Sequence, residues 1–210
     1  MEEKEELRQP EEKKRTFLND IYSLLHDLVY ILAAITLIFV FCVRLVGVNG
    51  ASMNPTLLHG DYLALQSNVV MGDLEYGDII VARDLEFNDG EPIVKRVIAT
   101  EGQTVRIDYV NNTVTVNGVA LNEDYINEQD LVEPSYRHYG SQISDGVYEI
   151  VVEEGCIFAM GDNRNKSADS RYYQIGQIKL DQVLGKVLLI VLPAQDESGS
   201  RDFSRWGAVS

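Results

Sequence analysis

Ser52 stands in the run Gly50-Ala51-Ser52-Met53-Asn54-Pro55-Thr56-Leu57. Small residues before it leave its hydroxyl and amide accessible, and Pro55 stiffens the turn after it. A serine of this kind is an ordinary turn or capping residue unless a base lies beside it. Lys95 is a candidate base, in Ile93-Val94-Lys95-Arg96-Val97-Ile98. Strand alternation there puts Ile93, Lys95 and Val97 on one face and Val94, Arg96 and Ile98 on the other. On a buried face the ammonium is disfavoured, and the neutral amine can take a proton from a serine hydroxyl. On an edge strand the same lysine would simply reach into water. A third stretch, Gly161-Asp162-Asn163-Arg164-Asn165-Lys166-Ser167-Ala168-Asp169-Ser170-Arg171, follows the apolar Phe158-Ala159-Met160. Its carboxylates, serines and arginines can build an ion-paired loop, although alone it could equally be a solvent loop.

Other chemistries fit less well. The histidines are His26, His59 and His138, and nothing around His59 builds a Ser-His-Asp triad. No Asp-Thr-Gly or Asp-Ser-Gly segment suggests an aspartic protease. With no C-x-x-C and no H-x-x-H, a dedicated metal site is not expected. Gly185-Lys186 lacks the remaining residues of a Walker A loop. Two cysteines exclude a disulfide scaffold, and a formal charge of −15 excludes a nucleic-acid binder of the usual basic kind.

These residues must be positioned by something, and the chain divides sharply. Leu28–Val43 carries no charge, Arg44 interrupts, and Leu45–Val48 continues the apolar run. Counted to Val48 this is long enough for a bilayer, with Arg44 and Tyr30 near the two interfaces. The expected organisation is a cytoplasmic tail at 1–27, a transmembrane anchor at 28–48 and an extracytoplasmic catalytic domain at 49–210. A buried core helix and a cleaved signal are the alternatives; the acidic 27-residue leader argues against cleavage. Lys4, Arg8, Lys13, Lys14 and Arg15 precede the span, whereas after Arg44 the next basic residue is Arg83, so the N-terminus is placed inside. Beyond the anchor the sequence reads as short strands: Tyr62–Leu65, Asp78–Ala82, Ile93–Thr100, Thr104–Tyr109, Thr113–Leu121, Val147–Val152, Ile157–Met160 and Val183–Leu192. Asn117-Gly118 marks a two-residue hairpin, and 104–154 reads as a small insertion on a mainly β domain.

Together these segments resemble the bacterial type I signal peptidases, the serine–lysine membrane endopeptidases that remove signal peptides from exported proteins. Ser52-Met53-x-Pro55-Thr56-Leu57 is similar to the family's nucleophile motif, and Gly77-Asp78-Ile79-Ile80-Val81 to the strand that follows. Lys95-Arg96-Val97 resembles the base-bearing strand, and the stretch from Gly161 to Arg171 the late loop. The likeness runs in order from Val46 to Val191. It implies an all-β signal-peptidase-like domain after one anchor helix, with Ser52 as nucleophile, Lys95 as general base and Ser167 orienting the Lys95 amine. The oxyanion hole would use the Ser52 N–H and a donor at Gly50. Some members have a serine hydroxyl at that second position; here a backbone N–H or water must serve. Asp169–Arg171 and Asp162–Arg96 would be supporting ion pairs, while Met53, Pro55, Ile93 and Val94 would contact substrate.

The resemblance further implies no metal or cofactor and a monomer in the cytoplasmic membrane. Its partners would be the lipid bilayer and preprotein signal peptides cut after Ala-x-Ala, with no nucleic acid. One departure is Ala99-Thr100-Glu101-Gly102-Gln103, where the family often has a Gly-x-Pro-Gly-Asp turn. Two rival readings remain: a self-cleaving repressor-type peptidase, which uses the same dyad, and an inactive sheet that only binds extended peptides.

Overall fold

A computed structural model describes residues 8–85, 87–126, 130–133, 138–140 and 143–209. The first seven residues of the expected tail, and parts of the expected insertion between Asn122 and Asp145, lie outside them. The described residues form two compact units, divided after Cys42.

The first unit is one helix, α1 (Arg8–Phe41). Its last 23 residues, Asn19–Phe41, are long and apolar enough to cross a membrane, and none of the apolar window is buried against protein. The boundary differs from the expected anchor. The helix stops at Phe41, and Val43–Gly47 forms strand β1 of the second unit. The physical reason is the sequence after Val43: Arg44 ends the uncharged run, and Val43-Arg44-Leu45-Val46-Gly47 finds backbone partners in a sheet. The helix recovers its length at the other end, before Leu28.

In the second unit β1 pairs antiparallel with β2 (Tyr62–Ser67). The larger sheet adds β3 (Ile79–Ala82), β4 (Ile93–Thr100), β9 (Cys156–Met160), β10 (Ile178–Lys179), β11 (Val183–Leu192) and β12 (Gly207–Ala208). Its order is β1-β2-β11-β3-β4-β9-β10, with β12 paired to β11. A second sheet, ordered β7-β6-β5-β8, is formed by β5 (Thr104–Asp108), β6 (Thr113–Val116), β7 (Val119–Ala120) and β8 (Val147–Val151). Asn117 and Gly118 turn β6 into β7 with φ of 50° and 79°, the left-handed pair that a tight hairpin requires.

Alternation along the strands separates the core. Val94 packs with Ile79 and Val81 on one face, and Val97 with Ile80 and Ala82 on the other. Ile98, Phe158 and Met160 pack with Val105 and Ile107 beneath the second sheet. Lys95 therefore lies on an interior strand, paired with β3 on one side and β9 on the other, rather than on an edge.

β2 and β11 approach unusually closely at Gly185, where a Cβ would overlap Gln66 O and stand 3.1 Å from its carbonyl carbon. Gly185→Ala should therefore force the two strands apart and cost ~1–3 kcal/mol. Thermal unfolding of the detergent-solubilised protein checks this: Tm should fall, and an unchanged Tm would contradict the close approach.

Candidate active site

Ser52 sits on the loop that joins β1 to β2. The loop is closed at its base, where Val48 N donates to Asp61 O at 2.8 Å and Gly60 N donates to Val48 O at 2.9 Å. Met53 and Leu57 anchor it in the core, being 1% and 0% exposed. Ser52 itself is half-buried. The loop meets the segment after β9 edge to edge: Asn163 N donates to Ser52 O at 3.0 Å, and Asn163 Nδ2 donates to Ala51 O at 3.0 Å.

Lys95 reaches this loop from β4. Its Nζ donates to Ser52 Oγ at 2.9 Å and to Val94 O at 2.8 Å. The side chain is 3% exposed. Burial disfavours the ammonium and is the largest influence on it, lowering the pKa to about 8. The charge of Asp169 pulls it back up, Arg171 pushes it down, and Asp162 pulls it up again.

The two carboxylates are each held by an arginine. Asp162 accepts from Arg96 Nε at 2.9 Å and Nη2 at 2.8 Å, and from Thr56 Oγ1 at 2.5 Å. Asp169 accepts from Arg171 Nε and Nη2, both at 2.8 Å, and from Gly161 N at 3.1 Å. Burial alone would raise the Asp169 carboxyl, but the Arg171 charge and these bonds win and hold it below its ordinary range. All four side chains are at most 2% exposed.

Two residues sit differently from their expected roles. Ser167 is buried, and its hydroxyl acts on the Asp169 carboxyl, helping to hold it down, rather than bonding Lys95 Nζ. The Lys95 amine is instead oriented by the carbonyl of Val94, its neighbour on the strand. Ser167 packs against Gly161, where an added Cβ would overlap both Ser167 Oγ and Ser52 O. Gly50 takes φ of +100°, and its N–H donates to His59 Nδ1 at 3.2 Å. The candidate second oxyanion donor is thus committed to an imidazole on the same loop. Of the residues expected to touch substrate, Met53, Ile93 and Val94 line a recess of about 90 Å³ together with Ser52 and Lys95. Pro55 is exposed and does not line it.

Several contributors escaped sequence reading. Thr56 and Asn163 lie within the quoted motifs but have no chemistry of their own to announce them. Tyr125, whose ring lies 4.0 Å beneath the Arg96 guanidinium, and Glu123, 2.6 Å from Arg164, come from the connection between β7 and β8 of the second sheet.

A family profile described as signal peptidase, peptidase S26, matches residues 21–192. The chain belongs to that family. It is 31% identical over 182 residues to signal peptidase IB of Staphylococcus aureus, covering 79% of this chain and 87% of that one. It is 38% identical over 148 residues to signal peptidase I of Bacillus caldolyticus, covering 67% and 74%. A solved signal peptidase I from Enterococcus faecalis V583 is 29% identical and covers 55% of this chain and 97% of that one. The TM-score of that match is 0.41. As a member of the S26 family the protein is a serine peptidase, a hydrolase, and with its apolar helix it is a membrane-anchored one.

Gly161 is the point where the serine loop and the Ser167 loop touch. Gly161→Ala should displace Ser52 and lower peptide cleavage by about 100-fold, since such losses follow misplacements near 1 Å. Cleavage assays on protein whose circular dichroism is native would test this; activity within a factor of about three would show that the contact is slack.

Proposed function

We propose that this signal peptidase cleaves N-terminal signal peptides from exported preproteins with a Ser52/Lys95 dyad, through an acyl-enzyme. The observation that carries the reading is the 2.9 Å separation of Lys95 Nζ from Ser52 Oγ, at a lysine whose pKa burial lowers to about 8. In the neutral form the amine's lone pair accepts the Ser52 proton as Oγ attacks the scissile carbonyl. The Ser52 N–H stabilises the oxyanion that develops. The lysine, now charged, gives its proton to the leaving amine. It then takes one from the water that hydrolyses the ester and passes it to the departing Ser52 Oγ, returning the enzyme to its starting state.

The substrate would lie extended beside β4 and the serine loop, held by main-chain hydrogen bonds. A recess of about 90 Å³ between Met53, Ile93 and Val94 suits a methyl-sized side chain and disfavours large ones, in keeping with Ala-x-Ala sites. Both dyad residues come from one chain, so a single copy suffices. The helix Asn19–Phe41 would hold the enzyme in the cytoplasmic membrane with its β domain outside. Sharing the bilayer with the substrate's own apolar segment raises the effective concentration without tight binding.

Ser52→Ala and Lys95→Ala should each lower cleavage of an Ala-x-Ala preprotein by at least about 1,000-fold. Undiminished cleavage by either variant would sink the dyad. The reaction requires the uncharged amine, so kcat/KM should rise with pH and level off above about 8. An inflection near the ~10.4 of a free lysine would contradict a buried base.

A further inference from the structure

The family match ends at residue 192, yet the chain beyond it returns to the loop that carries Ser52. Leaving β11, Ala194 N donates to Asp61 Oδ1 at 2.7 Å. Gln195 then bridges to Arg201, and Asp202 Oδ1 accepts from Ser204 N at 3.0 Å, starting a single helical turn, Phe203–Arg205. β12 follows, pairing with Leu189 and Ile190 of β11.

This path delivers the Arg205 guanidinium to the serine loop. Its Nη1 donates to Asp61 Oδ1 at 2.9 Å, and its Nη2 to Asp61 Oδ2 at 2.8 Å. Nη2 also donates to Thr56 O at 3.1 Å. Asp61 is fully buried and accepts in addition from Leu58 N at 2.7 Å. Burial alone would push its carboxyl up; the bonds from Arg205, Leu58 and Ala194 outweigh that and keep it ionised.

We propose that Arg205 is a positioning residue for Ser52, and that the segment from Ala194 to Val209 is a strap on the nucleophile loop. The proposal rests on the reading of Ser52 as nucleophile. Its warrant is where the bonds land. Asp162 grips Thr56 through the hydroxyl, and Asn163 grips Ala51 and Ser52 through their carbonyls, all from the β9 side of the loop. Arg205 grips the other polar end of Thr56, its carbonyl, from the C-terminal segment. A bridge that served only to seal the C-terminus would need Asp61 alone. The bond to Thr56 reaches within four residues of Ser52. With it the loop is fixed from two separate parts of the fold; without it the loop can tilt about the Asp162 and Asn163 contacts. The planar fork meets two carboxylate oxygens and a carbonyl in one fixed geometry, whereas a lysine's three donors radiate from a single nitrogen on a flexible stem.

The test uses full-length protein in detergent with an Ala-x-Ala peptide, comparing native enzyme with Arg205→Gln, Arg205→Lys and the double variant Asp61→Asn/Arg205→Gln. The double variant leaves no unpaired buried charge, so it guards against simple unfolding. An activated ester that acylates serine counts the competent sites, and kcat is expressed per titrated site. For Arg205→Gln and the double variant we expect kcat per site to fall by about tenfold or more with KM within about twofold, because misplacement weakens attack rather than binding. Arg205→Lys should recover part of the loss, and added guanidinium ion should restore part of it to Arg205→Gln. A kcat per site within about fivefold of native, or a loss carried by KM, would overturn the proposal even if fewer molecules fold. Ser52→Ala is measured alongside: cleavage retained there would defeat the nucleophile assignment, whereas cleavage lost there with normal Arg205 variants would defeat only the strap.

Discussion

The site depends on placing one primary amine in a dry part of the fold without giving it a counter-ion of its own. Lys95 is 3% exposed, and two carboxylates act on it electrostatically. Either one, left free, would hold the amine as an ammonium. Each is instead engaged by a guanidinium, Asp162 by Arg96 and Asp169 by Arg171. What remains at Lys95 is mainly the cost of burying charge, and this is why its pKa moves down to about 8. The arginines thus do more than tie loops together: they neutralise the carboxylates next to Lys95.

Such pairs are expensive to build and costly to break, since removing one partner strands a buried charge. They occur where three chain segments meet: the interior strand β4, the serine loop between β1 and β2, and the turn after β9. Asp162 joins all three, bonding Arg96 on β4 and Thr56 on the loop from its own place after β9. Backbone carbonyls of Ala51 and Ser52 bonded to Asn163 complete the junction. The geometry of Ser52 and Lys95 is therefore a consequence of how these segments cross, and Gly161 is glycine because no side chain fits between them.

Much of this is legible in the sequence because the signals are local. The β-branched runs, the Asn117-Gly118 turn and the apolar flanks of Lys95 each state their conformation within a few residues. The strands β1, β10 and β12 are not legible there, for the opposite reason. β1 is an apolar continuation of the helix that becomes a strand only because β2 is there to pair with it, and β10 and β12 are two residues each. The same limit applies in the site. Asp162–Arg96 and Asp169–Arg171 could be anticipated from the family resemblance, whereas Tyr125 under Arg96 and Arg205 on Asp61 depend on long-range packing. Ser167 and Gly50 show that even a matched motif position leaves hydrogen-bond direction open. A neighbouring carbonyl holds the lysine instead of Ser167, and an imidazole holds the Gly50 N–H.

The most direct test of the account is the protonation equilibrium of Lys95 itself, followed by NMR of a labelled side-chain amine or its adjacent carbon as pH is varied. The account predicts a midpoint at about 8. A midpoint at the ~10.4 of a solvated lysine would show that the amine stays charged at neutral pH and cannot serve as the base.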